Sequence, residues 1–250
     1  MVIERVFFQS NFAENTSDMK LIYTILIVGA ATLLLITSSM FTDLLAWQIH
    51  PIVFLNTMAK HQLFALIVAM LVTISVLILN PSSFKFLSIG QITTIAEKEK
   101  WLGINGRSSW KKNGLQLLFF VSLPTATFMF LAVKYTDSMH NFQWSFIPLV
   151  LFFSFINSLT EELIFRFGIV GGLVGQYSAR IILIISAVLF GLPHYVGFPS
   201  GFIGVVMSGI LGYILCKATI ETKGLSIAWT IHFVQDIIIF TALMMMNVRL

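Results

Sequence analysis

Two carboxylates and a guanidinium, Glu161, Glu162 and Arg166, stand in the stretch "LTEELIFRFG" between runs of Phe, Ile and Leu. Ionisable side chains are costly in hydrocarbon, and those that persist there usually face a cavity or one another. Glu162 and Arg166 are four residues apart with the acid first, the favourable order for a helical ion pair, so they can neutralise each other. At roughly 100° per residue, Glu161 lies about 140° around the helix from Arg166 and cannot easily share it. It is left as the unpaired carboxylate.

Two further polar positions interrupt apolar runs. His194, in "VLFGLPHYVG", follows Phe190 by four residues, and "IHFVQDI" places His232 and Asp236 four apart on one helical face. A lone histidine in a helix is either a hydrogen-bonded structural residue or a proton acceptor. An HxxxD pair is either an oriented imidazole or half of a metal site. A carboxylate beside an imidazole in a cavity suits the activation of a water molecule. Glu161, His194, His232 and Asp236 are also chemically adequate zinc ligands. The chain lacks HExxH, in which a helical histidine pair binds metal beside its glutamate base, so a metal-free site is preferred, with zinc as the alternative. Ser208, in "VVMSGI", precedes a glycine but has no glycine two residues earlier and no evident partner, which argues against a serine nucleophile.

The elements that must hold these groups are membrane helices. Mean hydropathy is +0.91; 57% of the residues are apolar, 24 are Phe and only 10% are charged, far from the composition of soluble domains. A hydrocarbon core of about 30 Å needs roughly 20 residues per helix. The fold class expected is an all-α polytopic transmembrane bundle of seven to eight helices, with seven spans as the central reading. These are Leu21–Ser39, Gln62–Leu79, Leu115–Val133, a segment from Phe146 onward, Ile181–Tyr195, Phe202–Lys217 and Leu225–Met246. Phe41–Lys60, broken by Asp43, Trp47, His50, Pro51 and Asn56, suits an interfacial segment better than a span. The run from Leu21 exceeds a signal-peptide core and lacks a small-x-small cleavage site, so it is read as an uncleaved first helix. Cys216 is the only cysteine and excludes an intrachain disulfide.

The net charge of +4 is concentrated in one loop, which holds Lys85, Lys98, Lys100, Arg107, Lys111 and Lys112. The positive-inside rule makes that loop cytoplasmic, and nucleic-acid binding is not needed to explain it. Residues 1–113 are read as N-terminal membrane helices with this loop, and 114–250 as the core that carries the motifs. "GQYSAR" reads as a turn with Glu161 and His194 each about 16 residues from it, roughly 24 Å at 1.5 Å per residue, so a hairpin brings them to one depth. Gly168, Gly171, Gly172 and Gly175 on one arm allow close helix approach. His232 and Asp236 lie at a similar depth, and together the four outline a polar pocket within the bilayer.

The ordered set Glu161-Glu162-x-x-x-Arg166, Phe190-x-x-x-His194 and His232-x-x-x-Asp236 resembles the CPBP family of intramembrane proteases. That family includes type II CAAX prenyl endopeptidases of the Rce1 type and the bacterial Abi proteins linked to bacteriocin self-immunity and peptide maturation. The resemblance covers about Ser145 to Met246, and "WLGINGRSSWKKNGL" is similar to the basic lead-in of family members. It implies that Glu161, assisted by His194, activates water for attack on a peptide carbonyl, and that His232 and Asp236 stabilise the oxyanion. Many members carry Asn at the last position, and an ionised Asp236 would repel an oxyanion; a neutral Asp236, or one that orients His232, would not. The implied partners are the lipid bilayer and a peptide or membrane-protein substrate, either prenylated or of the leader, pheromone or bacteriocin type. The implied location is a bacterial cell membrane, crossed several times. A non-proteolytic scaffold or immunity protein with the same fold is the alternative, and a transporter is disfavoured because no internal repeat is visible.

Overall fold

Apolar runs in hydrocarbon must satisfy their own backbone N–H and C=O groups, and helices do so within one segment. The computed structural model of the chain describes residues 2–197 and 200–248, with side chains from residue 18 onward. Its helices are α1 Val2–Ile36, α2 Ser38–Thr42, α3 Val53–Leu79, α4 Trp110–Tyr135, α5 Ile147–Glu161, α6 Gly168–Leu173, α7 Ala179–Gly191, α8 Gly201–Thr222 and α9 Ser226–Asn247. Among the described residues there is no strand beyond isolated bridges. Six segments are long and apolar enough to span: Asp18–Ile36, Val53–Leu79, Trp110–Tyr135, Trp144–Leu173, Gly201–Thr222 and Ser226–Asn247. The protein is a multi-pass integral membrane protein built as an all-α bundle.

The seventh expected span is shorter than a full crossing. α7 and a 3-10 turn, Leu192–Tyr195, together form the apolar helix Ala179–Tyr195. Pro193 has no N–H to continue the α-helical ladder and stands in the 3-10 turn that carries His194. Phe41–Lys60 does not span. Its middle is a connection tied by Asn56, whose Oδ1 accepts from the Ile49 and His50 N–H groups at 2.8 and 3.0 Å.

α1, α3 and the α5–α6 segment share one core, in which Val28, Val72, Val76, Phe167, Ile169 and Leu173 are buried together. The glycines of α6 serve this contact and not the hairpin with α7. A Cβ on Gly172 would sit 2.2 Å from Thr24 Oγ1, and one on Gly171 would sit 2.8 Å from Val76 Cγ1. α7 instead packs on α8, where a Cβ on Gly191 would lie 2.7 Å from the Val205 carbonyl oxygen.

The basic loop is a folded cap on the turn between α8 and α9. Trp110 is fully buried and its Nε1 donates to Glu221 Oε2 at 2.8 Å, an oxygen that also accepts the Glu97 N–H at 2.9 Å. Gly90 has φ +79°, and its backbone lies so close to the α8–α9 turn that a Cβ on Gly224 would be 2.4 Å from Gly90 N. At the opposite end, Asn141 Nδ2 donates to the Met245 carbonyl at 2.9 Å, which ties the α4–α5 connection to the end of α9.

Candidate active site

α5 does not run smoothly into α6. Glu162–Phe167 forms a π-helical stretch, a widened turn of the kind that occurs often at functional sites. This departs from the regular helix on which the angular separation of Glu161 and Arg166 was reckoned. The pairing is nevertheless Glu162 with Arg166: Arg166 Nη2 is 3.2 Å from Glu162 Oε1, and both side chains are fully buried. The guanidinium also stacks over the Phe190 ring at 3.9 Å. Among the described residues, none of its three nitrogens has a hydrogen-bond acceptor in good geometry, so charge and ring stacking hold it.

Glu162 does more than neutralise Arg166. The same Oε1 lies 2.8 Å from His232 Nδ1, and this hydrogen bond orients the imidazole. Asp236 does not play that part, because its Oδ1 is 3.8 Å from His232 Nε2, beyond hydrogen-bond range. With Nδ1 committed to Glu162, Nε2 faces Glu161, whose Oε2 is 3.5 Å away. His194 is oriented in a similar way, its Nδ1 bonded to the Phe190 carbonyl at 2.8 Å. The Phe190 ring then touches both imidazoles, with centroids 5.0 Å from His194 and 5.6 Å from His232. That ring is the spacer around which the charged groups are arranged.

Glu161, His194, His232 and Asp236 all line one cavity of about 550 Å³, as does Phe190. Glu161 keeps 23% of its side chain exposed there, whereas Glu162 keeps none. The two adjacent carboxylates therefore occupy different environments: one is sealed against an arginine, the other is open to whatever fills the cavity. Ser208 lines the same cavity from α8.

Three further polar residues reach this site. Asn157, one turn before Glu161, uses its Nδ2 to donate to Glu161 Oε1 at 3.0 Å and to Asp236 Oδ2 at 3.1 Å. Gln62 Nε2 of α3 donates to Asn157 Oδ1 at 3.1 Å, which fixes which way the amide points. His61, also on α3, lines the cavity and bonds Ser38 Oγ through Nδ1 at 2.9 Å. Asn157 carried a signal in the sequence, a lone amide four residues before Glu161 in an apolar run. His61 and Gln62 carried little, since they stand near the start of a long apolar span.

Glu161, His194, His232 and Asp236, together with His61, are the chemically competent metal ligands of the cavity. Among the described residues, no three or more His, Cys, Asp or Glu side chains are grouped as the ligands of a metal ion would be. The amide of Asn157 is bonded to an oxygen of each carboxylate, which leaves less of either free for a cation.

Residues 143–238 match the family model described as type II CAAX prenyl endopeptidase Rce1-like. The chain carries an Rce1-like domain. All three motifs fall inside it, from Glu161 to Asp236, and the match stops two residues after Asp236. That description is of an endopeptidase, a hydrolase of peptide bonds. No curated protein and no solved structure shows significant similarity to the chain. The Rce1-like segment accounts for α5 to α9 through Asp236. The cavity wall is completed from outside it, by Thr32 of α1, His61 and Gln62 of α3, and Thr125 of α4.

Proposed function

We propose that the protein is a glutamate-dependent intramembrane endopeptidase. The observation that carries this reading is the convergence of Glu161, His194, His232 and Asp236 on one cavity among membrane helices. In the proposed reaction Glu161 takes a proton from water and the water oxygen bonds to the carbonyl carbon of the substrate peptide. Negative charge passes to the carbonyl oxygen, which His232, protonated at both ring nitrogens, stabilises by donating from Nε2–H while Nδ1–H donates to Glu162. The C–N bond then breaks, and the proton held by Glu161 passes to the departing amine. His194, tethered at Nδ1 to the Phe190 carbonyl, assists from the other side of the cavity.

Asp236 is read as a positioning residue. An anionic Asp236 opposes an oxyanion, but here its Oδ2 is tied to Asn157, whose amide also holds Glu161. One amide thus keeps both carboxylates at fixed separation. The preferred mechanism uses no metal, and the arrangement of donors supports that preference. The substrate is proposed to be a membrane-associated peptide or protein, of the leader, pheromone or bacteriocin-precursor type rather than a prenylated one, in a bacterial cell membrane. No feature of the cavity singles out a prenyl group.

The test uses purified wild type and Glu161→Gln in detergent or bicelles, incubated with prenylated and leader-type peptides, with and without a chelator. Cleavage by the wild type, abolished in Glu161→Gln and insensitive to chelator, is expected. Cleavage lost to chelator would return the mechanism to zinc. Cleavage retained by Glu161→Gln would overturn the assignment of the base. A cellular phenotype that survives loss of Glu161, His194 and His232 would favour the scaffold reading.

A further inference from the structure

The cavity is not placed symmetrically in the bundle. α3, α5 and α8 begin at the end that carries the 136–146 connection, whereas α4, α7 and α9 finish there. The cavity draws on the beginnings of α3 and α8, through Met58 and Met207, and on the last turns of α1 and α9, through Ile36 and Leu243. It also takes in Val196 and Gly197, just beyond α7. α4 contributes Val121 to Met129, from its middle toward the same end. Of the polar lining groups, Glu161 and Asp236 lie near the middle of the spans Trp144–Leu173 and Ser226–Asn247, and His232 lies one turn closer to the cap. None of the lining residues belongs to the cap of residues 80–109 or to the turns at 174–178 and 223–225. At the rim, Val196 is 67% exposed and Ile36 is 44% exposed.

The cap end is the strongly basic end. It carries the six cations of the loop, joined there by Arg180, Lys217 and Lys223, while among the described residues the rim end has Lys60 and Lys134. By the positive-inside rule such an asymmetry favours a cytoplasmic cap. The rim therefore faces the other side of the membrane. The lining chemistry narrows the occupant: the rim is apolar, no Lys or Arg lines the cavity among the described residues, and two carboxylates lie at its floor. A free C-terminal carboxylate would meet like charge with only imidazoles, and no lysine or arginine, to receive it, whereas an internal, uncharged segment would not.

We infer that the cavity is open to the extracytoplasmic side of the membrane and takes an apolar, internal peptide segment exposed there. That the occupant is a peptide rests on the peptidase reading; that the cavity faces outward does not. Substrates would then be translocated peptides or the outer juxtamembrane segments of membrane proteins, and the reaction that supplies them would be export across the membrane.

The side can be tested without any cleavage. In a Cys216→Ala background, Val196→Cys at the rim and Lys98→Cys in the cap are each treated in intact cells with a membrane-impermeant maleimide. Val196→Cys is expected to be labelled at once, and Lys98→Cys only after permeabilisation. The reverse pattern, or equal labelling of both in sealed cells, overturns the inference. The occupant is tested with two single-pass reporters that carry the same apolar juxtamembrane segment, one placing it outside and one inside. Cleavage of the outward reporter by wild type and not by Glu161→Gln supports the inference, and cleavage of the inward reporter overturns it. If wild type cuts neither reporter, nor any peptide in detergent, the peptidase reading fails while the labelling still decides the side.

Discussion

Glu162→Gln separates a structural ion pair from a group that organises the site. The substitution keeps the shape of the side chain but leaves Arg166, fully buried, without its counter-charge. Removing one partner of a buried pair costs about 3–5 kcal/mol. Against a total stability on the order of 5–15 kcal/mol, that is a large fraction. The measurement is reversible unfolding in mixed micelles titrated with SDS, followed by helical circular dichroism. The double variant Glu162→Gln/Arg166→Met removes both charges and is expected to recover most of the loss. The remainder reflects the stacking of Arg166 over Phe190, on the order of 1–2 kcal/mol when desolvated. Activity is expected to behave differently. In both variants a neutral amide oxygen, a weaker acceptor, replaces the carboxylate 2.8 Å from His232 Nδ1, so cleavage stays low in the double variant although stability returns. A loss below about 1 kcal/mol in the single variant, typical of an exposed pair, would refute the burial argument. Full cleavage by the double variant would refute the anchoring of His232.

Asn157→Ala removes both bonds that steady Glu161 and Asp236, and kcat/KM is expected to fall about 10- to 100-fold, equivalent to roughly 1.4–2.7 kcal/mol of transition-state stabilisation. Thermal unfolding should shift far less than in Glu162→Gln; an unchanged kcat/KM would remove Asn157 from the site. Gly172→Ala drives a Cβ to within 2.2 Å of Thr24 Oγ1 and should destabilise the protein by about 1–3 kcal/mol, with Thr24→Ala recovering part of it. Additive destabilisation in the double variant would show that the two positions do not touch. Glu221→Gln weakens the bonds to Trp110 Nε1 and the Glu97 N–H, each charge-assisted and worth about 1.5–3 kcal/mol, and should open the cap to tryptic cleavage at Lys98 and Lys100. Unchanged digestion would mean that the cap is held mainly by its apolar packing.

What could be read from the chain follows from which contacts are local. The Glu162–Arg166 pair, the shared face of His232 and Asp236, and the approximate spans all rest on helical spacing within a single element. The bond between His232 and Glu162 joins residues 70 apart in sequence, and helical periodicity cannot say which of two adjacent carboxylates an imidazole from another helix will meet. The π-helical stretch compounds this, because one widened turn changes the rotation of every residue after it relative to those before. Spacing also made His232–Asp236 look like the orienting pair, since an i,i+4 relation puts two groups on one face but not within bonding distance. The contribution of α3 was hidden for a different reason. Gln62 looks like an incidental polar residue near the start of a 27-residue helix until Asn157 gives its amide something to orient. The site consequently extends beyond the segment that carries the motifs. Glu161, the proposed base, is held by an amide on its own helix, and that amide is held in turn by a helix that precedes the matched segment. Transplanting residues 143–238 alone would leave Asn157 free to rotate and Glu161 without a fixed direction, so the N-terminal helices belong to the chemistry of the site and not only to its support.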